Sequence, residues 1–111
     1  MICHHKVLYH SPKGLASYCQ QCSYIQIAFG TTVVSFSENQ FTEFCDYIQH
    51  FFPTYKGAYH HHKAIYLPIN SQNIGWILTA QELRELRTML RIAQERFALL
   101  RLAHDAFLSP N

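Results

Sequence analysis

Cys19-Gln20-Gln21-Cys22 is where this chain sets two metal-competent side chains at a short fixed spacing. A Cys-x-x-Cys at a β-turn presents two thiolates on one side, half of the tetrahedral set that zinc takes in a knuckle. The other half must come from elsewhere, and Cys3, His4, His5 and His10 are the upstream candidates. Alternate side chains of an extended stretch share a face, so Cys3 and His5 point the same way. Cys3, His5, Cys19 and Cys22 therefore form the candidate metal site, with zinc as the candidate cofactor. Two features weigh against it: there is a single Cys-x-x-Cys, and Ser23 stands where a knuckle usually has glycine. A reduced, half-buried thiol pair without metal is the competing reading. A thiol redox or metal-dependent enzyme using Cys19 and Cys22 is a weaker alternative. A thioredoxin-type pair opens a helix whose N-terminus stabilises the thiolate, whereas Tyr24-Ile25-Gln26-Ile27 alternates as a strand.

The remaining reactive side chains assemble no catalytic set. Cys45 falls on an apolar helical stripe and reads as a small buried hydrophobe. His60-His61-His62 reads as an exposed loop triplet, and His104 falls on a helical seam. Glu38, Glu43 and Asp46 are the carboxylates outside the C-terminal helix and its tail, and all three lie on one helix, which disfavours a paired-carboxylate active site. Gly14, Gly30, Gly57 and Gly75 are scattered, so no phosphate loop forms. Arg84, Arg87 and Arg91 make a basic stripe that, with Lys13 and exposed tyrosines, would be the surface of a weak nucleic-acid-binding module. The formal net charge is only +2, and Arg91 has Glu95 at i+4, so nucleic acid is disfavoured.

Composition sets the frame for these side chains. Hydrophobic residues make up 49% of 111 and charged residues 14%, which excludes a disordered, highly charged arm. The stretch Met1–Leu8 has no apolar run that reads as a secretory signal, and no segment is apolar for the length of a membrane span. A cytoplasmic address is expected, where thiols stay reduced.

The elements that would position the cysteines follow from a repeat. Tyr24–Phe51 aligns on Tyr66–Ala93 without a gap, so that Tyr24 meets Tyr66, Ile27 meets Ile69 and Glu43 meets Glu85. In the first copy Ile25, Ile27 and Phe29 alternate with polar or small residues, which is strand periodicity. Gly30-Thr31 suits a two-residue type II′ turn, pairing Phe29 with Thr32, Ile27 with Val34 and Ile25 with Phe36. In the second copy Gln72-Asn73 falls at the same turn, placing Ile69 opposite Trp76 and Leu67 opposite Leu78. Ser37 with Gln40 and Thr79 with Glu82 are capping boxes, so a helix is predicted to start at each. The first runs from about Glu38 to Phe51, ended by Pro53. Upstream, Lys6–His10 and Leu15–Cys19 read as two further strands around the turn-forming Ser11-Pro12-Lys13-Gly14.

The order is ββ-ββα-ββα: an α+β fold, an antiparallel sheet from a duplicated hairpin–helix unit with helices on one face. It is expected to be one domain over 1–111, with N-terminal strands over 1–23, the first copy over 24–52 and the second over 63–108.

From Ala80 nothing breaks the second helix before Ser109-Pro110. Leu83, Leu86, Leu90, Ala93, Phe97, Leu100, His104 and Phe107 recur at alternating spacings of three and four, a sustained heptad seam. Leu99, Leu102 and Ala103 lie off that seam, and a helix apolar on more than one face needs a second surface to cover it. A homodimer through the C-terminal half is expected. The competing reading lays the helix across its own sheet.

Gly14-x4-Cys19-x2-Cys22, the strand Ile25-Gln26-Ile27-Ala28-Phe29-Gly30-Thr31, then Val34-x-Phe36-Ser37 and Phe41-x2-Phe44, resemble a small uncharacterised family of Bacteroidetes bacteria, a domain of unknown function. The resemblance covers Cys3 to about Phe51. It implies no activity, and its leading Cys or His maps to Cys3 with His4 or His5. The reading is thus an unknown function, most consistent with a non-enzymatic binding or assembly protein, a structural zinc being one option for its N-terminal end.

Overall fold

The computed structural model describes residues 5–51, 65–69 and 74–108, with side chains over 5–51, 65–69 and 75–103. Eight elements follow in the expected order: β1 (His5–Ser11), β2 (Gly14–Cys19), β3 (Tyr24–Phe29), β4 (Thr32–Ser37), α1 (Glu38–Gln49), β5 (Ile65–Ile69), β6 (Ile74–Leu78) and α2 (Ala80–Leu108). The fold is α+β. Its strands form two antiparallel sheets, a four-stranded one in the order β1-β2-β3-β4 and a two-stranded one of β5 and β6.

The first hairpin has the register its sequence dictates. Ile27 opposes Val34, Ile25 opposes Phe36 and Phe29 opposes Thr32. Gly30 sits at φ +62°, and Ser23 is the one non-glycine at positive φ among the described residues, so Thr31 is not left-handed, as a type II′ turn requires. Ser11 fixes the turn before it, its Oγ accepting from the N–H groups of Lys13 at 3.3 Å and Gly14 at 3.2 Å.

The second hairpin departs from expectation by two residues. Leu67 opposes Trp76, Ile65 opposes Leu78 and Ile69 opposes Ile74. A two-residue turn needs glycine-like φ at its centre, and Gln72-Asn73 lacks the glycine that Gly30 supplies in the first copy. Strand β5 ends earlier, at Ile69, and β6 begins at Ile74. Side chains alternate with period two, so a shift of two leaves the same residues on the buried face. Ile65, Leu67, Ile69, Trp76 and Leu78 are all buried.

Both helices begin at the boxes read from sequence. The Gln40 N–H donates to Ser37 Oγ at 3.2 Å, while Ser37 N–H donates to Gln40 Oε1 at 3.0 Å. At α2 the Glu82 N–H donates to Thr79 Oγ1 at 3.0 Å, and Thr79 N–H to Glu82 Oε1 at 2.9 Å. Helix α1 stops at Gln49 with His50 as its cap, two residues short of the expected Phe51, and Pro53 lies outside the described residues. The Asp46 and Ile48 carbonyls accept from the N–H groups of His50 and Phe51, and α2 adds donors at this end. Arg87 Nε donates to the Ile48 carbonyl at 3.2 Å and its Nη2 to that of Phe51, a C-terminal cap supplied from another helix.

Every element contributes to one buried cluster. Helix α1 lays Phe41, Phe44, Cys45 and Ile48 into it, with Phe44 stacked on Phe36 at 4.8 Å between ring centroids. Helix α2 contributes Leu83, Leu86, Met89, Leu90, Ala93 and Phe97. The seam is thus covered within the chain as far as Phe97, which is 7% exposed between Tyr18 (4.9 Å) and Phe41 (6.1 Å). Leu100 is half-buried against the cluster. Strand β1 reaches α2 through an irregularity. Pairing jumps from Val7–Ser17 to Tyr9–Ala16, leaving Leu8 as the extra residue, fully buried. Arg96 Nη1 donates to the Leu8 carbonyl at 2.8 Å, satisfying an acceptor at the break in the ladder.

Candidate metal centre and its surroundings

The Cys-x-x-Cys joins two adjacent strands. Cys19 is the last residue of β2 and opposes Tyr24, the first of β3. The Ser23 N–H donates to the Cys19 carbonyl at 2.8 Å, and Ser23 lies at φ +59°. That is the left-handed conformation a knuckle glycine adopts, so the serine keeps the backbone form although it lacks the residue type. The cost of a side chain there is on the order of 1 kcal/mol.

His5 lies opposite Cys19 across the β1–β2 ladder. His5, Cys19 and Cys22 border one pocket of about 280 Å³, with Tyr24, Gln26 and Ser35 completing its lining. By strand alternation this pocket lies on the sheet face opposite the buried Ile25 and Ile27, away from both helices. Cys19 is buried at 2% exposure and Cys22 is exposed. Among the described residues no three His, Cys, Asp or Glu side chains stand close enough to hold a metal ion. Cys3 and His4 lie outside the described residues, as do His60-His61-His62 and the side chain of His104.

His10 is separated from the pair by register. It opposes Leu15, four residues along β2 from Cys19, a distance of roughly 13 Å at 3.3 Å per residue. Of the upstream histidines that can be placed, His5 alone stands beside Cys19. Cys45 has a different setting, in the core with its thiol 4.0 Å from the Leu90 carbonyl. Burial pushes that thiol up to about 12, so it stays protonated.

A polar junction that sequence patterning did not reveal lies beside this end of the sheet. Tyr18 Oη donates to Glu38 Oε2 at 3.0 Å, and Arg101 pairs with Glu38 Oε1. Arg101 also sits over the Phe97 ring at 5.9 Å. The junction ties β2, the first turn of α1 and α2 together. Desolvation, then the hydrogen bond to Glu38, raises the Tyr18 phenol above its ordinary value. No local signal could have identified it, because its members are distant in sequence.

The basic stripe is divided among separate tasks. Arg87 caps α1, Arg91 pairs with Glu95 at 3.6 Å as its spacing predicts, and Arg84 borders a cleft near Lys13. Beyond Phe97, Leu99 and Leu102 are 65% and 66% exposed on the far half of α2. Among the described residues no helix is long and apolar enough to cross a membrane. Neither the curated proteins nor the solved structures contain a match to the chain. A family model does match, over residues 1–107, and the chain belongs to that family of unknown function, DUF6686.

Proposed function

We propose that this protein is a non-enzymatic assembly module that pairs with a second copy through the C-terminal half of α2. The observation carrying this reading is the exposure of Leu99 and Leu102, at i and i+3, on the part of the helix that projects past the buried Phe97. Covering each leucine is worth roughly 1.5–3 kcal/mol, and a two-fold pairing covers both copies with one self-complementary patch. Phe97 is an internal residue, so the informative change is Leu99→Glu with Leu102→Glu. The expected result, by sedimentation, is a dimer for the wild type and a folded monomer for the double variant, whose melting temperature no longer rises with protein concentration as the wild type's does. A wild-type protein that sediments as a monomer at tens of micromolar overturns the reading.

A second reading is favoured by the position of His5 opposite Cys19 and by the left-handed Ser23. In it, Cys3, His5, Cys19 and Cys22 close around a structural zinc, with Zn–S near 2.3 Å. The setting is the cytoplasm of a bacterium of the Bacteroidetes type, where thiolates remain available to metal. Purified protein should then carry one zinc per chain, and a chelator should lower its melting temperature, since metal-binding energy becomes folding energy. Substoichiometric zinc with unchanged melting in chelator removes this reading and leaves the dimer untouched.

A further inference from the structure

The outer strands of a sheet present backbone donors and acceptors to any chain that can pair with them. In the four-stranded sheet the outer strands are β1 and β4. Strand β1 is guarded: its ladder breaks at Leu8, Arg96 donates to the Leu8 carbonyl, and the strand carries Lys6. In the ribbon, β5 contains Pro68, which has no N–H to donate. Strand β4 has no such guard. Its sequence, Thr-Val-Val-Ser-Phe-Ser, holds no charge and no proline, and its register with β3 is unbroken.

The two-residue turn decides which β4 groups face outward. Phe29 and Thr32 flank that turn and exchange backbone hydrogen bonds, and such pairs alternate with pairs that exchange none. Val33, Ser35 and Ser37 are of the second kind, so their N–H and C=O groups point away from β3. The Ser37 N–H fits this pattern, since it donates to Gln40 Oε1 at 3.0 Å. The outward groups of Val33 and Ser35 pair with no other strand among the described residues. Val33 is 61% exposed on the sheet face away from the helices, while Val34 points inward and is half-buried against the core.

We propose that β4 pairs antiparallel with β4 of a second copy, with Val34 on the two-fold axis. Val33 of each chain then opposes Ser35 of the other, and four N–H···O bonds engage every outward group of these residues. Val34 meets its own copy in the close, non-hydrogen-bonded position, which covers its remaining exposed surface. A register centred on Ser35 is poorer, because it sets Val33 against Ser37, whose N–H already serves the α1 cap. The same strand supplies the matching spacing of donors and acceptors, and a two-fold brings together no like charges, since β4 has none. Six residues bury less than a standard interface, so the pairing is weak and depends on concentration. It shares no residue with the Leu99 and Leu102 patch.

Amide exchange in the full chain carrying Leu99→Glu and Leu102→Glu reads this edge with the helix surface removed. Raising protein from about 20 µM to about 1 mM should slow exchange at Val33 and Ser35 about fivefold, leaving Ile25 and Ile27 unchanged. Val34→Lys should abolish the slowing, and mixing it with Val34→Glu should restore it, as opposite charges then face each other across the axis. In the wild type, mixed isotope-labelled and unlabelled chains at the higher concentration should show a Val34 methyl contact between copies, a result that needs no variant to fold. Exchange at Val33 and Ser35 that ignores concentration, slowing that survives Val34→Lys, or absence of the methyl contact overturns the proposal. Sedimentation at tens of micromolar lies below this range and reports on the helix surface alone.

Discussion

The two hairpin–helix units share a pattern but are stabilised by different surroundings. In the first, β3 and β4 extend an existing hairpin, so β3 is paired on both edges and the sheet has four strands. In the second, β5 and β6 pair, among the described residues, only with each other. A two-stranded ribbon has marginal stability in water, and this one is held by the buried face it lends to the common cluster. The comparison teaches that equivalent local codes lead to unequal local stability, because sheet neighbours are a tertiary property.

The sharpest way to break this comparison is to empty the core beneath each hairpin. Phe36→Ala in the first unit should cost about 3–5 kcal/mol and Leu67→Ala in the second about 2–5 kcal/mol. Both should shift one urea transition, as the cluster is shared. If Leu67→Ala left the main transition in place, the second unit would be folding separately.

Smaller effects sharpen it. Ser37→Ala and Thr79→Ala each remove a helix cap, at about 1 kcal/mol. The loss at Thr79 should be the larger, because this residue is buried and its box is shielded while the Ser37 box is exposed. Thermal unfolding of the two variants side by side measures the difference. Amide exchange should be faster across β5–β6 than at Ile25 and Ile27 in β3, since a ribbon with two open edges separates locally. Equal protection would show that packing alone sets local stability here.

The smallest effects concern titration. Native Cys45 should resist iodoacetamide at pH 8 while the exposed Cys22 is labelled, because a thiol raised to about 12 supplies little thiolate. Rapid labelling of Cys45 would show that α1 opens locally. The Tyr18 phenol is also raised, so the folded state holds its proton more tightly than the unfolded chain does. Its contribution is present below pH 10 and is lost as pH rises through the folded value, a loss that Tyr18→Phe should abolish. An ordinary phenol midpoint in the folded protein would contradict this.

Much of the fold was legible because its signals are local. Gly30 set the first turn, the Ser37 and Thr79 boxes set both helix starts, and alternation from Ile25 to Phe36 set a register the structure reproduces. The second register was misread because no glycine marks its turn, and only the period-two parity survived. Part of the candidate site was legible for the same reason: extended alternation aligned His5 on a face, and the β1–β2 register brought it opposite Cys19. Unbroken alternation would set His10, five residues from His5, on the opposite face, but the irregularity between Val7 and Tyr9 interrupts that parity, and the distance of each from Cys19 follows only from the residue it opposes.

The sequence alone determined the element order, the faces buried and the caps, each written in residues within a few positions of one another. Tertiary structure decided that β5 and β6 stay apart from the larger sheet and that Arg87 closes α1. It also decided that Phe97 is internal while Leu99 and Leu102 are not, and that Lys13 stands over Glu85. Those outcomes depend on which surfaces meet after the chain has turned back on itself. Periodicity says that a face must be covered, and only packing says by what.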